Sequence, residues 1–246
     1  MQQKLIAIDL DGTTLNNQSL ISNHTQETLA KATKAGHIVS IATGRPFRMS
    51  QQFYTQLGLN TPMVNFNGAL VHMPFKKWRF ERELSIRRDI AFEIVAQKEA
   101  LQLDFIAAEN RESFFIDSLD HFESRFFAAP SATTKNLLEN LKTNPTSLLI
   151  KTQKDQTANV SKFLTLQFKD DIDVRTWGGP DAILEIVPKG VQKAMSVAVV
   201  AESFGIDAKN IVAFGDEHND VEMLEYAGWG VAMKNGTDQV KQIAND

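Results

Sequence analysis

Carboxylates gather at two places in this sequence, each time directly after an apolar run. Leu5-Ile6-Ala7-Ile8 leads into Asp9-Leu10-Asp11-Gly12-Thr13-Thr14, and Ile211-Val212-Ala213-Phe214 leads into Gly215-Asp216-Glu217-His218-Asn219-Asp220. Residues two apart on an extended chain point to the same side, so Asp9 and Asp11 are expected to lie together. Two carboxylates at 4 Å repel by about 1 kcal/mol in water and by about 4 kcal/mol at an effective dielectric of about 20. Bringing Asp216 to the same place adds to the cost. A fold gains nothing from such a grouping, whereas a hard divalent cation does: Mg²⁺ takes a few carboxylate oxygens, keeps several waters and accepts a phosphate oxygen. An isolated Asp after a strand reads as a loop or cap residue, but that reading does not account for both runs together.

Other groups fit the same chemistry. Gly12 and Gly44 read as turn glycines, and such turns also present backbone N–H groups to an anion. Thr43 is read either as a helix cap or as an anion contact. Lys193 lies four residues after Lys189-Gly190, and is read as a solvated helix lysine or as a phosphate contact.

The elements that must position these groups follow from the apolar patterning. Short apolar runs at 5–8, 37–42, 62–66 and 211–214 read as buried parallel strands, with a further short strand at 229–232. A helix is expected from Asn23, with Gln26 as capping-box partner, to Gly36. Pro46 suits the first turn of a second helix, and others are expected at 191–204, 220–227 and 237–244. Between these two α/β stretches the pattern changes: a hairpin at 69–84, a helix at 86–103, strands at 104–108, 113–116, 147–151, 173–177 and 182–187, and a helix at 157–168. The expected fold is a doubly wound, Rossmann-like, mostly parallel sheet with an inserted α+β domain, the core comprising 1–83 and 188–246 and the insert 84–187. In open α/β sheets ligands bind beyond the carboxyl ends of the strands. That rim is where the first strand delivers Asp9 and Asp11, the second Thr43-Gly44-Arg45, the third Asn65-Phe66-Asn67-Gly68, and the fourth Asp216 through Asp220.

Composition narrows the class. The 246 residues are 43% hydrophobic, 23% charged and 9% aromatic, which excludes a disordered, collagen-like or coiled-coil chain. No apolar stretch approaches the roughly 18 residues of a membrane span, and the opening run is too short for a secretory signal. The absence of cysteine removes disulfides, thiolate catalysis and cysteine–zinc sites. A net charge of -4 gives no bulk attraction to nucleic acid or anionic lipid. The expected partner is a small molecule, with neither nucleic acid nor membrane involved, and the expected setting is the cytoplasm, as a monomer or small homo-oligomer.

The Asp9–Thr13 run, Thr43-Gly44-Arg45, Lys193 and the Gly215–Asp220 run resemble, in order, the four motifs of the haloacid dehalogenase-like hydrolase superfamily. Asn67-Gly68-Ala69, the Lys189-Gly190 pair and the large insert resemble its Cof-type sugar-phosphatase branch. The first and fourth motifs together are specific; the second and third are weak alone. The resemblance implies a phosphoric monoester hydrolase acting on a small phosphorylated metabolite. Asp9 would be the nucleophile that forms an aspartyl-phosphate, and Asp11 the acid and then base. Mg²⁺ would be held by Asp9, the backbone carbonyl of Asp11 and Asp216, with Asp220 behind them. Thr43 and the N–H of Gly44 would bind phosphate oxygens. Lys193 would offset negative charge, and Asn219 would orient Lys193 or the phosphate. The insert would be a cap that closes over the site and sets specificity. Its aromatics Phe105, Phe114, Phe115, Phe122, Phe126, Phe127 and Trp177 read as cap core or surface, and His121 and Arg125 as a solvated pair within reach of a substrate. The family pattern continues past the helix around Val240, whereas this chain stops at Asp246, so an exposed sheet edge is expected.

Three other readings fit the same residues. A phosphotransferase or mutase would replace water by another hydroxyl. A receiver-like switch would use an acidic pair, Thr and Lys without turnover. A binding module would have lost activity altogether.

Overall fold

The strands form where β-branched and apolar residues run together, and each helix starts or stops at a residue that fits its end. The computed structural model describes residues 2–118, 133–135, 137–176 and 182–246. In chain order these contain β1 Leu5–Ile8, α1 Asn23–Lys34, β2 Ile38–Ile41, α2 Phe47–Gln56, β3 Met63–Asn65, β4 Leu70–His72, β5 Arg82–Glu83, α3 Arg88–Ala96, β6 Leu103–Glu109, β7 Phe114–Ile116, β8 Thr133–Lys135, α4 Leu137–Asn140, β9 Ser147–Thr152, α5 Thr157–Gln167, β10 Ile172–Thr176, β11 Ile183–Pro188, α6 Lys193–Ser203, β12 Ile211–Gly215, α7 Val221–Tyr226, β13 Trp229–Ala232 and α8 Asp238–Ile243. The chain divides into two units. One is Met1–Arg45, Ser50–Glu83 and Gln192–Asp246; the other is Pro46–Met49 with Leu84–Val191.

The first unit is built on a parallel sheet of order β13-β12-β1-β2. Leu5 pairs with Ile211 and Ile8 with Phe214, so β1 and β12 end at the same level. A parallel bridge from Ala42 to Val64 carries the sheet on to β3, which pairs antiparallel with β4, and β4 with β5. Leu5, Ala7, Ile211 and Ala213 share one apolar cluster with Val197 and Val200 of α6, Met223 and Leu224 of α7 and Val240 of α8. The second unit carries a sheet of order β10-β11-β9-β6-β7-β8, antiparallel except between β7 and β8. Strand alternation divides its apolar residues. Ile106, Ala108, Leu148, Ile150, Leu184 and Ile186 pack with Ile90 and Ile94 of α3 and Val160 and Leu164 of α5. Phe105, Ala107, Phe114, Ile116, Leu149 and Ile183 form a second cluster from the alternate positions.

Three expectations change. The N-cap of α1 is Ser22, whose hydroxyl accepts from Thr25 N–H. Gln26 instead donates to the Gln56 carbonyl at 3.2 Å; a serine oxygen one residue earlier reaches the orphan N–H directly. The helix expected at 86–103 ends at Ala96, and the chain turns through Gln102 at φ 53 before β6. The edge of β13 is covered: Asn245 N–H donates to the Gly230 carbonyl at 2.8 Å, and Ala232 N–H to the Asp246 carbonyl at 2.8 Å.

A buried polar junction fixes the loop after β2 to the end of β3. The Asn65 amide donates to the Arg45 carbonyl at 2.8 Å and to the Ser50 hydroxyl at 2.9 Å, while its oxygen meets His72 Nε2 at 2.9 Å. Asn65, Ser50 and His72 are all fully buried. Beyond it Phe66, Asn67 and Gly68 have φ of 50, 54 and 105. A left-handed Phe costs energy that the surroundings must supply. Asn67 N–H bonds the Thr43 carbonyl at 3.1 Å, and the Gly68 carbonyl accepts from Ser196 at 2.7 Å. A Cβ on Gly68 would sit 2.3 Å from the Gln192 carbonyl oxygen, so only glycine lets this turn abut the start of α6. Asn65→Ala removes one partner from three buried polar groups at once, and is expected to lower unfolding free energy by about 3 kcal/mol in urea titration.

Candidate active site

Asp9 is delivered by the end of β1, its N–H bonded to the Phe214 carbonyl at 3.1 Å and its own carbonyl to the Thr14 hydroxyl at 2.5 Å. The chain then leaves extended geometry. Leu15 N–H closes back on the Leu10 carbonyl at 2.8 Å, and Gly12 adopts φ 75. A Cβ on Gly12 would lie 2.0 Å from Asp216 Oδ2, so the turn glycine also makes room for that carboxylate. Asp216 accepts from Thr13 Oγ1 and from Asn235 Nδ2, each at 3.0 Å, and Asn235 also donates to the Gly12 carbonyl at 2.9 Å. Burial pushes the Asp216 carboxyl up, the Thr13 hydrogen bond opposing it.

Lys193 opens α6 with its side chain fully buried. Its Nζ donates to Asp9 Oδ1 at 2.6 Å and to Asp220 Oδ1 at 2.7 Å. Asp220 in turn accepts, through Oδ2, the N–H groups of Asp216 at 3.0 Å and Glu217 at 3.2 Å. Gly215 lies against it: a Cβ there would be 2.5 Å from Asp220 Cβ. Burial works to lower the Lys193 pKa, but Asp220 and Asp9 outweigh it and raise it, which keeps the ammonium charged. Burial pushes Asp9 up to about 8 against the pull of Lys193. Asp9, Asp216 and Asp220 each offer a carboxylate oxygen within 4.8 Å of the others. Three buried carboxylates thus face one ammonium.

The expected pairing of Asp9 with Asp11 changes, because the turn at Leu10–Thr14 breaks the two-residue alternation. Asp11 faces outward and is 57% exposed, held by Arg45 through Nε to Oδ2 at 2.7 Å and Nη2 to Oδ1 at 2.5 Å. The acid that joins Asp9 and Asp216 is Asp220 instead. Thr43 is buried, with its N–H on the Val64 carbonyl at 3.0 Å and its hydroxyl accepting from Arg45 N–H at 3.1 Å. A Cβ on Gly44 would lie 3.0 Å from Asn67 Oδ1. That same oxygen accepts from Asn219 Nδ2 at 2.8 Å. Asn219 was expected to orient Lys193 or a phosphate. Lys193 is held by Asp9 and Asp220, and Asn219 ties the β12 loop to the β3 turn.

The turn after β1, the Thr43–Arg45 loop, Asn67, Lys193 and the Asp216–Asp220 loop are therefore joined by side-chain hydrogen bonds. Sequence reading missed Arg45, Thr13, Asn67 and Asn235 as members of this network. Thr13, Arg45 and Asn67 lie within the motif runs named above, so proximity to Asp11, Thr43 and Gly68 was a signal; Asn235 lies in none of those runs. Phe105 and Phe114 lie in one apolar cluster of the second unit, with Phe115 packed against the other. His121, Phe122, Arg125, Phe126, Phe127 and Trp177 lie outside the described residues. Among the described residues no helix is long and apolar enough to cross a membrane.

A model of the haloacid dehalogenase-like hydrolase family matches residues 6–246. The chain is 39% identical over 243 residues to a Bacillus subtilis protein named 5-amino-6-(5-phospho-D-ribitylamino)uracil phosphatase YitU, covering 98% of this chain and 90% of that one. It is similar in structure to a haloacid dehalogenase-like hydrolase from Bacteroides thetaiotaomicron, with a TM-score of 0.88, 26% identity, and coverage of 99% and 93%. TM0651 from Thermotoga maritima gives a TM-score of 0.82 at 28% identity, with coverage of 99% and 91%. The doubly wound core with its inserted α+β unit, and the ordered acidic, threonine and lysine motifs along it, thus have a common origin: the chain belongs to the haloacid dehalogenase-like hydrolases, within their Cof-type branch.

Proposed function

We propose that this protein is a Mg²⁺-dependent phosphatase of small phosphorylated metabolites, working through a phosphoryl group carried on Asp9. The observation that carries the reading is the crowding of acids around Lys193: three buried carboxyl groups within 4.8 Å of one another share a single ammonium, and burial raises Asp9 and Asp216 toward the neutral form unless a cation offsets their charge. That donor set fits a hard divalent cation. Asp9 and Asp216 would hold it with the backbone carbonyl of Asp11, while Asp220, both of whose oxygens are already engaged, would stand behind them. When bound, the ion neutralises excess negative charge and orients the phosphate for in-line attack.

The residues divide the remaining work. Lys193 fixes Asp9 Oδ1 and so sets the direction of the carboxylate. The Asp9 oxygen forms a bond to phosphorus as the ester oxygen–phosphorus bond breaks, and Asp11 supplies the proton that the leaving alkoxide takes. Water then attacks the same phosphorus, giving its proton to Asp11, and phosphate leaves with Asp9 restored. Thr43 and the Gly44 N–H bind the equatorial oxygens. Phosphoryl transfer needs mainly such positioning and charge stabilisation. For Asp11 to carry a proton, one of its oxygens must come off the bidentate Arg45 pair, so Arg45 holds the carboxylate in place between turnovers. The named activity of the relative makes 5-amino-6-(5-phospho-D-ribitylamino)uracil the first substrate to test. The cytoplasm, where soluble phosphorylated metabolites are found, is the setting that fits this reading.

Inorganic phosphate is expected to be released from that substrate with Mg²⁺ and no added acceptor alcohol, and release should stop with chelator. Phosphate release only when an acceptor is present would instead indicate a phosphotransferase. Asp9→Asn should lower kcat by at least about 10³-fold with the fold intact by circular dichroism. Asp11→Asn should lower kcat by about 10²–10⁴-fold while Mg²⁺ affinity, read by calorimetry, changes little. Loss of metal binding in that variant would contradict the role given to its side chain.

A further inference from the structure

Asp216 is held differently from the other two buried acids. Lys193 bonds Asp9 and Asp220 with an ammonium, whereas the donors on Asp216 are neutral: the Thr13 hydroxyl on Oδ1 and the Asn235 amide on Oδ2, each at 3.0 Å. Asn235 lies in the loop that follows β13. That loop is fastened to the exit of β12 on both sides of the Asp216 N–H, with Met233 N–H donating to the Gly215 carbonyl at 3.0 Å and Thr237 N–H to the Asp216 carbonyl at 2.9 Å. From there the Asn235 amide also donates to the Gly12 carbonyl at 2.9 Å. Both partners are acceptors, so the two hydrogens of one NH2 group account for both bonds. One side chain thus joins the β13 loop, the Asp216 carboxylate and the turn at Leu10–Thr14 that follows Asp9.

Burial does not demand these bonds. Asn235 is exposed, so water can serve its amide, while Asp216 is only 7% exposed. The residue type fits a steering task. A lysine in this place would bring the positive charge that the proposed ion is to supply, and an aspartate would add a fourth acid. An amide donates twice and carries no charge. A donor on each oxygen sets the plane of the Asp216 carboxylate, and each oxygen keeps a further lone pair for a cation. The bond to Gly12 ties that plane to the turn carrying Asp11, whose backbone carbonyl is the third proposed ligand. Such rigidity matters unequally among ions. Mg²⁺ demands near-ideal octahedral geometry at about 2.0–2.1 Å, whereas Ca²⁺ accepts about six to eight oxygens in flexible arrangements at about 2.3–2.6 Å.

We propose that Asn235 is a positioning residue that holds Asp216 against the turn after β1 in the arrangement an octahedral ion requires, and so favours Mg²⁺ over Ca²⁺. The inference rests on the phosphatase reading, of which the cation is a part, and adds to it the side chain that makes the site selective among hard divalent ions. Removing a group that orients a metal's ligand commonly costs about 10–100-fold in affinity.

The test is calorimetric titration of the full chain with Mg²⁺ alone and with Ca²⁺ alone, for the unaltered protein and for Asn235→Leu, which keeps the volume and loses both donors. Expected is a Mg²⁺ Kd raised at least ~10-fold and a Ca²⁺ Kd raised no more than about threefold. Losing a merely structural contact would lower the melting temperature of the metal-free protein and leave the ratio of the two Kd values where it was. An unchanged Mg²⁺ Kd, or equal losses for both ions, would therefore overturn the proposal. Asn235→Ala is judged by the same criterion and decides if Asn235→Leu does not fold. Failure of the underlying reading looks different: the unaltered protein would then take up no Mg²⁺, or would release phosphate equally fast with chelator present, and this inference would fall with it.

Discussion

The Lys193 ammonium, buried between Asp9 and Asp220, is the contact on which the remainder of the site depends. An ammonium held away from water is tolerable only with close partners of opposite charge. Lys193 has two: Asp9 follows β1 directly, and Asp220 ends the short loop that leads from β12 into α7. The register of β1 with β12 brings those strand ends to one level, and α6 carries the lysine to them. Removing the lysine would leave two carboxylates facing each other in a buried place. Removing either carboxylate would leave the buried ammonium with a single close partner. The fold therefore positions and restrains its most reactive groups with one set of bonds.

Around that contact the chain uses glycine and strained backbone where ordinary residues would not fit. Gly12 yields space to Asp216, Gly215 to Asp220 and Gly68 to the first turn of α6. Phe66 and Asn67 pay for left-handed backbone with the bonds of the Asn65 junction and the Thr43 carbonyl. The consequence is positional: Asn67 reaches Asn219 across 152 residues of sequence and covers Gly44. Strain of this kind persists where surrounding contacts over-determine it, and it concentrates at functional sites.

How much of this the sequence disclosed depends on the range of the interaction. The strands were legible because each is a short apolar run closed by Asp, Gly or Thr, and the parallel α/β alternation follows from such runs. The convergence of Asp9, Thr43 and Asp216 was legible because strand ends in such sheets share one rim. The error lay in treating Asp9 and Asp11 as continuing an extended strand. Two residues past β1 the backbone has already turned, and Asp11 goes to Arg45, 34 residues away. Nor could sequence say that Lys193 would choose Asp220 as well as Asp9, or that Asn219 would choose Asn67. These are matters of side-chain direction after folding, with no periodicity to reveal them.

The central claim is that one ammonium cannot keep all three buried carboxyl groups around Lys193 ionised, and that a divalent cation supplies the missing charge. Thermal unfolding with and without millimolar Mg²⁺ reads this directly, because a ligand bound only by the native state raises the melting temperature. The account predicts a clear rise for the unaltered protein and none for a chain carrying Asp9→Asn with Asp216→Asn. An unchanged melting temperature in the unaltered protein, or an equal rise in both, would contradict it.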